Sequence, residues 1–235
     1  VVFTDDDIIA HPDWLLELWE GAQRWPGHAV FGGRIIADWP DGAPFWGDDH
    51  PFNQSLFSLH YPTRDERPYG ENDFLPYGPN LAIRKIIFDK GYRYNTEVGP
   101  DGSNTYVMGS ETELLKRLKD DGYDPVFLPQ ALVQHQIRES QLTRTGLNRR
   151  NFRIGLSDSF SGQKNPDLLL DAPRYLWKLI VVTWIKFLAA KVSSNRIKAF
   201  EYHCILWRTK GKIYGHRSKK NSASSLVQKI FKQGI

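Results

Sequence analysis

The chain has 235 residues, 25% of them charged and 40% hydrophobic, which places it among ordinary soluble globular proteins with room for one substantial domain and an appendage. Its one cysteine, Cys204, excludes an internal disulfide framework and any multi-cysteine zinc site, and fits a reducing compartment. The net charge of +4 hides an asymmetry: from Arg174 onward 14 Lys or Arg stand against Glu201 alone, leaving +13 there and −9 in the first 173 residues. An acidic body with a basic tail attracts anionic lipid or nucleic acid at one end only.

The opening stretch VVFTDDDIIAHPDWL begins with Val1, Val2 and Phe3, which lack polar alternation and read as a strand covered on both faces. A strand over 1–4 is expected to lead through Asp5, Asp6 and Asp7 to a helix starting near Pro12, because proline suits the first helical position and Asp13 the first turn. Trp14, Leu15, Leu18 and Trp19 fall on one face of that helix. AVFGGRIIA predicts a strand over about 29–37, and an irregular stretch rich in aromatics and proline runs from Asp38 to Pro79. Connections of that length usually line a site, and ordinary loop packing is the other reading. YGPNLAIRKIIFDKGYRYN reads as a short strand and a helix closed by Gly91. GSETELLKRLKDDGYDPVFLPQALVQHQI gives a helix at 110–121 ending at Gly122, then strands near 126–128 and 131–136. Strands alternating with helices point to an α/β domain, of which this count supplies only the second half.

Taken in order, FTDDDIIAHPDWL, FGGRI, GPNLAIRK, GSETELLKRLKDDGY and VQH resemble the C-terminal half of family 2 glycosyltransferases with the GT-A fold, over roughly residues 1–145. The resemblance implies an incomplete GT-A, Rossmann-like mixed sheet with flanking helices in a domain covering 1–150. It also implies that the strands holding the nucleotide's base and ribose lie upstream, so that the chain begins mid-sheet. Residues 151–235 would follow as a helical, basic extension.

The chemistry explains why such residues are needed. Transfer from a nucleotide sugar releases a diphosphate whose growing charge calls for a divalent cation, and hard cations take carboxylate oxygens. By resemblance Asp7 of the D-x-D signature is the direct ligand to Mn2+ or Mg2+, and Asp5 lies toward the donor ribose or metal-bound water. Asp6 points away, as alternation at a strand end requires. An isolated D-x-D is equally an acidic turn capping the next helix. His135 shares a strand face with Ala131 and Val133, and the family often places a metal-binding histidine there; a lone histidine at a strand end is more often an ordinary surface residue.

Other positions have assignable roles in donor or acceptor binding. Gly32 and Gly33 allow a close backbone approach or a bulge. Gly78 and Asn80 match the family's loop beneath the donor sugar, although Pro79 stands where a second glycine is usual and offers no amide. Trp39, Trp46, Tyr69 and Tyr77 present faces for sugar rings or for packing. In GSETELLKRL, Ser110 reads as an N-cap and Glu113 as its capping-box partner, leaving Glu111 at the first helical position, where the positive helix end favours its ionised form. The resemblance makes Glu111 the catalytic base, one methylene longer than the family's usual aspartate.

RYLWKLIVVTWIKFLAAK is interrupted by Lys178 and Lys186, which disfavours a transmembrane span. It reads as a helix lying in a membrane interface, with Trp177 and Trp184 among the headgroups, or as one docked on the catalytic domain; the basic run beyond it favours an anionic membrane surface contacted through 174–235. Together these readings predict an inverting, metal-dependent glycosyltransferase that moves a sugar from a nucleotide-sugar donor to a hydroxyl of a glycan or lipid-linked acceptor. Its expected setting is cell-surface polysaccharide synthesis, at the cytoplasmic face of the plasma membrane and with no nucleic-acid partner. Two alternatives stay open. A nucleotidyltransferase of related fold would not need a base at the head of the 110–121 helix, and a basic membrane- or RNA-binding module would bind with strong salt dependence and no metal.

Overall fold

The computed structural model describes residues 1–71, 73–95, 108–160 and 167–233, with side chains as far as Ser218 except that of Phe160. Two compact units divide it: one holds the described residues of 1–99 and 109–142, the other Met108 and those of 143–235. The division falls after Leu142 and not after residue 150, because Arg144–Phe160 is one continuous helix.

The first unit is α/β with a mixed sheet, as the alternating pattern predicts. Its strands are β1 (Val2–Phe3), β2 (Ile8–Ala10), β3 (Val30–Asp38), β4 (Arg67–Pro68), β5 (Leu81–Ile83) and β6 (Val126–Gln136), in the order β1-β5-β3-β6-β2 with β4 also pairing to β6. β3 and β6 run parallel and every other pair is antiparallel. The sequence suggests two strands near 126–128 and 131–136; the structure has one, broken in register. Gly33 pairs with Leu128 but Arg34 with Leu132, so Pro129, Gln130 and Ala131 form a bulge.

Asn80 holds that bulge. Its Nδ2 donates to the Arg34 carbonyl at 3.0 Å and the Ala131 carbonyl at 2.7 Å, while its Oδ1 accepts from Trp14 Nε1 at 2.8 Å. A buried amide left unbonded would cost about 1–3 kcal/mol, so these contacts pin the Gly78–Asn80 turn to three elements.

The helices of this unit are α1 (Trp14–Arg24), α2 (Phe52–Phe57), α3 (Lys85–Asp89), α4 (Ser110–Asp120) and α5 (Glu139–Leu142). Val30, Leu81, Ile83, Ile87, Leu114, Leu115 and Leu118 form a core joining the sheet to α3 and α4; each such side chain contributes about 1.5–3 kcal/mol by leaving water. On α1 the buried residues are Trp14, Leu18 and Gly21. Leu15 and Trp19, expected on the same face, are exposed, because the contact with β6 is narrow: a Cβ at Gly21 would lie 2.5 Å from Leu128 Cδ1. β1 also departs from expectation. It pairs with β5 alone at one edge of the sheet, and Val1 and Val2 are exposed there. The stretch from Asp38 to Pro79, read as irregular, holds α2 and β4.

The second unit contains α6 (Arg144–Phe160), a small hairpin of β7 (Leu168–Leu169) and β8 (Ala172–Pro173), α7 (Arg174–Val192) and α8 (Arg196–Gln233). Side chains at Gly155, Gly211 and Gly215 would run into the facing helix, at the Arg208 carbonyl, the Phe152 carbonyl and Ser159 Oγ respectively. Their absence lets α6 and α8 approach closely. α7 buries only Leu176, Thr183 and Ala190, a single stripe at seven-residue spacing. Among the described residues no helix is long and apolar enough to cross a membrane.

Candidate active site

β1 runs in the same direction as β3 and β6, since it is antiparallel to β5, which is antiparallel to β3. The aspartate triplet leaves the carboxyl end of β1 and carries the chain from one edge of the sheet to β2 at the other. Ligands of open α/β sheets gather beyond such carboxyl ends. β2 pairs Ile8 with His135, which sets the residue before it, Asp7, beside the end of β6.

Asp7 and His135 form the centre of the site. His135 Nδ1 lies 2.6 Å from the carbonyl of Phe57, which can only accept, so Nδ1 carries the proton. Its Nε2 faces Asp7 Oδ1, 3.4 Å away. An imidazole nitrogen and a carboxylate oxygen facing each other can share a proton or together hold a cation. Fixing a histidine through its far nitrogen is also how metal-binding imidazoles are oriented. The other oxygen of Asp7 pairs with Arg138 Nη2 at 3.2 Å.

Asp5 remains in contact with solvent, and its carboxyl is pushed above the ordinary range, first by desolvation and then by the like charges of Asp7 and Glu111. Asp6 is exposed. Glu111, on the first turn of α4, lies over the Gly78–Asn80 turn: a Cβ at Gly78 would sit 3.1 Å from its Oε1. Tyr94 completes this corner. Its hydroxyl is buried with no hydrogen-bond partner among the described residues, and burial, then the Glu111 charge, pushes its pKa up to about 12. Asp5, Asp7, Glu111, Gly78 and His135 are thus brought together from β1, the chain entering β2, α4, the turn before β5, and β6. Among the described residues no three His, Cys, Asp or Glu side chains are close enough to enclose an ion by themselves.

Several residues expected at the donor or acceptor also have partners within the fold. Asn80 is fully buried with its amide bonded to protein, and Gly33 is glycine because a Cβ there would overlap that amide and the Ala131 carbonyl. Trp46 is buried, its Nε1 donating to Asn53 Oδ1 at 2.8 Å. Tyr77 is half-buried and packs edge-on against His60, while Tyr69 is buried and stacked on the same ring. Trp39 Nε1 donates to Asp48 Oδ1 at 2.7 Å.

The head of α4 differs from the capping box. The N-cap is Gly109 at φ 101°, a left-handed conformation suited to glycine, with its carbonyl accepting from the Glu113 amide at 2.9 Å. The Glu113 side chain reaches forward to Arg117 in a two-pronged pair at 2.7 and 2.9 Å, not back to Ser110. Sequence reasoning missed Phe57, Arg138 and Tyr94. The first acts through a backbone carbonyl that no motif encodes; Arg138, three residues beyond His135, was the one with a readable signal.

No protein-family model matches the chain, and no solved structure matches it significantly. Over 186 residues the chain is 27% identical to the glucosyl-dolichyl phosphate glucuronosyltransferase of Haloferax volcanii, an alignment covering 77% of this chain and 57% of that protein. The chain thus spans little more than half the length of the curated relative it matches.

Proposed function

We propose that this chain carries the catalytic carboxylates of a metal-dependent, inverting glycosyltransferase of the GT-A type, which moves a sugar from a nucleotide-sugar donor to a lipid-linked acceptor. The observation that carries the reading is the meeting of Asp5, Asp7 and Glu111 with the oriented His135 at the carboxyl end of β1 and β6. Similarity to a glucuronosyltransferase of a dolichyl phosphate-linked sugar supports both the reaction class and the acceptor class.

Each residue has a distinct part. Glu111 takes the proton of the acceptor hydroxyl while that oxygen bonds to the anomeric carbon; the bond from this carbon to the diphosphate oxygen breaks, and its electron pair leaves with the nucleotide. Attack opposite the leaving group inverts the centre. A divalent cation held by Asp7 and His135 would supply neutralising charge for the departing diphosphate, and the mixed oxygen and nitrogen donor set favours Mn2+ over Mg2+. Asp5 adds negative charge that strengthens cation binding, and Tyr94 brings near the base a hydroxyl that no described residue bonds.

The reading extends to an anionic membrane surface, for which α7 is the contact. Opposite its buried stripe, Val181, Trp184, Ile185, Leu188 and Val192 are exposed, Val192 by 88%, amid Lys178, Lys186 and Lys191 and with no acidic residue on the helix. That is the make-up of a helix lying in a bilayer interface.

The test is diphosphate release by the full-length protein from a panel of nucleotide sugars, with Mn2+ and a polyprenyl phosphate-linked sugar. One donor should be turned over to a nucleoside diphosphate and an inverted product. Release of inorganic pyrophosphate from a nucleoside triphosphate, with a sugar phosphate as the acceptor, would instead make the protein a nucleotidyltransferase.

A further inference from the structure

The second unit contains a cavity of about 540 Å³ between α6, α7 and α8. Its walls are Phe152 from α6, Trp177 and Ile180 from α7, and Ile213 and Tyr214 from α8, with Lys210, Arg217 and Ser218 completing the lining. The size is in the range of pockets that hold small molecules. Ala172, Leu176 and Ile213 form a packed floor against which Trp177 and Ile180 lie, and Trp177 is fixed by its Nε1 bond to the Leu169 carbonyl at 2.7 Å. Phe152 and Tyr214 contact each other with ring centroids 5.5 Å apart.

The cations give the cavity a sign. Lys210 and Arg217 are seven residues apart on α8 and flank Ile213 and Tyr214 on the cavity side, two turns or about 10 Å of helix between them. Two long flexible side chains can close on one phosphate across that distance. Among the described residues neither pairs with a carboxylate, and Lys210 rests over the Trp207 ring at 4.4 Å. The neighbouring acids are engaged elsewhere: Asp158 pairs with Lys212 at 3.1 Å and Glu201 with Lys198 at 2.7 Å. An apolar trough closed by two uncompensated cations suits a molecule that is hydrocarbon along its length and anionic at one end.

We infer that this cavity is a binding site for a lipid phosphate, with one hydrocarbon chain against Phe152, Trp177, Ile180 and Ile213 and the phosphate between Lys210 and Arg217. The site lies wholly in the second unit and does not depend on the catalytic reading. A free phosphate ion would leave the apolar walls unused, and a neutral amphiphile would leave the cations unpaired.

The experiment is titration of the full chain with dodecyl phosphate below its micelle concentration, followed by tryptophan fluorescence, with inorganic phosphate and dodecyl maltoside as separate arms. Dodecyl phosphate should bind saturably, at least 10-fold more tightly than either control. The double substitution Lys210→Gln and Arg217→Gln, at two exposed positions, should weaken dodecyl phosphate at least 10-fold and leave dodecyl maltoside unchanged. Ile180→Trp, which fills the trough, should weaken dodecyl phosphate without removing the charges. Equal binding of dodecyl phosphate and dodecyl maltoside, or full competition by inorganic phosphate, overturns the proposal. So does a double variant that binds dodecyl phosphate like the parent.

Discussion

Asp7 Oδ1 and His135 Nε2 face each other across 3.4 Å, with the imidazole fixed by the hydrogen bond that its Nδ1 donates to the Phe57 carbonyl. The proposed cation would take one oxygen and one nitrogen donor from this pair. His135→Ala should therefore weaken Mn2+ binding by 10-fold or more, as Asp7→Asn should, in an electron paramagnetic resonance titration of free Mn2+. An unchanged titration in both variants would remove these residues from the metal site. Chelation of the parent enzyme should abolish turnover, and Mn2+ should restore it better than Mg2+.

Glu111 and Glu113 are separated by their partners. Glu111→Gln should lower kcat by roughly 100-fold or more with little change in donor affinity, the size expected for loss of a general base. Glu113 is half-buried and tied to Arg117, so Glu113→Gln should cost below about 1 kcal/mol of stability and leave kcat near the parent value. Steady-state kinetics and urea midpoints on both variants decide it, and the reverse ranking would move the base to Glu113.

Gly78 sets where the Glu111 carboxylate sits. Its missing side chain leaves room for the Glu111 carboxylate, which an alanine Cβ would approach to 3.1 Å. Gly78→Ala should reduce kcat several-fold through displacement of Glu111 while the melting temperature changes little. A loss of stability with normal kcat would show the contact to be structural.

His60 predicts an acid-labile fold. Burial lowers its pKa from 6.5 to about 4. Below pH 6.5 the unfolded chain thus binds a proton that the folded chain refuses, so stability is lost as the pH falls from about 6.5 toward 4. The full loss across that window is of order 3 kcal/mol, since each pH unit between the two values contributes about 1.4 kcal/mol. His60→Gln should flatten the decline of the urea midpoint between pH 7 and 4.5, whatever its effect at pH 7; an unaltered slope would assign the acid sensitivity elsewhere.

The outward face of α7 should direct binding to anionic vesicles. Ile185→Glu with Leu188→Glu places charge on exposed positions, so folding should survive while cosedimentation with phosphatidylglycerol vesicles falls sharply. Retained binding that disappears in high salt would place the contact on the basic residues of α7 and α8 and not on the apolar face of α7.

Periodicity and punctuation were enough to locate much of the first unit. Alternating strands and helices, the Gly91 and Gly122 stops and the acidic triplet after the first strand are local signals, and β3, β5, α3, α4 and β6 stand within a few residues of where they point. Glu111 was distinguishable from Glu113 because helix position is also local, although the glutamate chosen as a cap turned out to hold Arg117. What the sequence could not decide depends on atoms far apart in the chain. The proton on His135 is placed by a carbonyl 78 residues away, and Asn80 bonds Ala131 at a separation of 51. That is why a residue motif-matched to a ligand loop is a buried latch, and why Gly33 serves the latch. The aromatic residues of the 38–79 stretch read alike as sugar platforms or as packing, since composition fixes neither their burial nor their partners. Only the tertiary structure turned Trp46 inward, left Trp19 and Trp184 outside, and closed Trp177 over a cavity. Exposure is a property of the neighbours a side chain meets, and those are set by the packing of the whole unit.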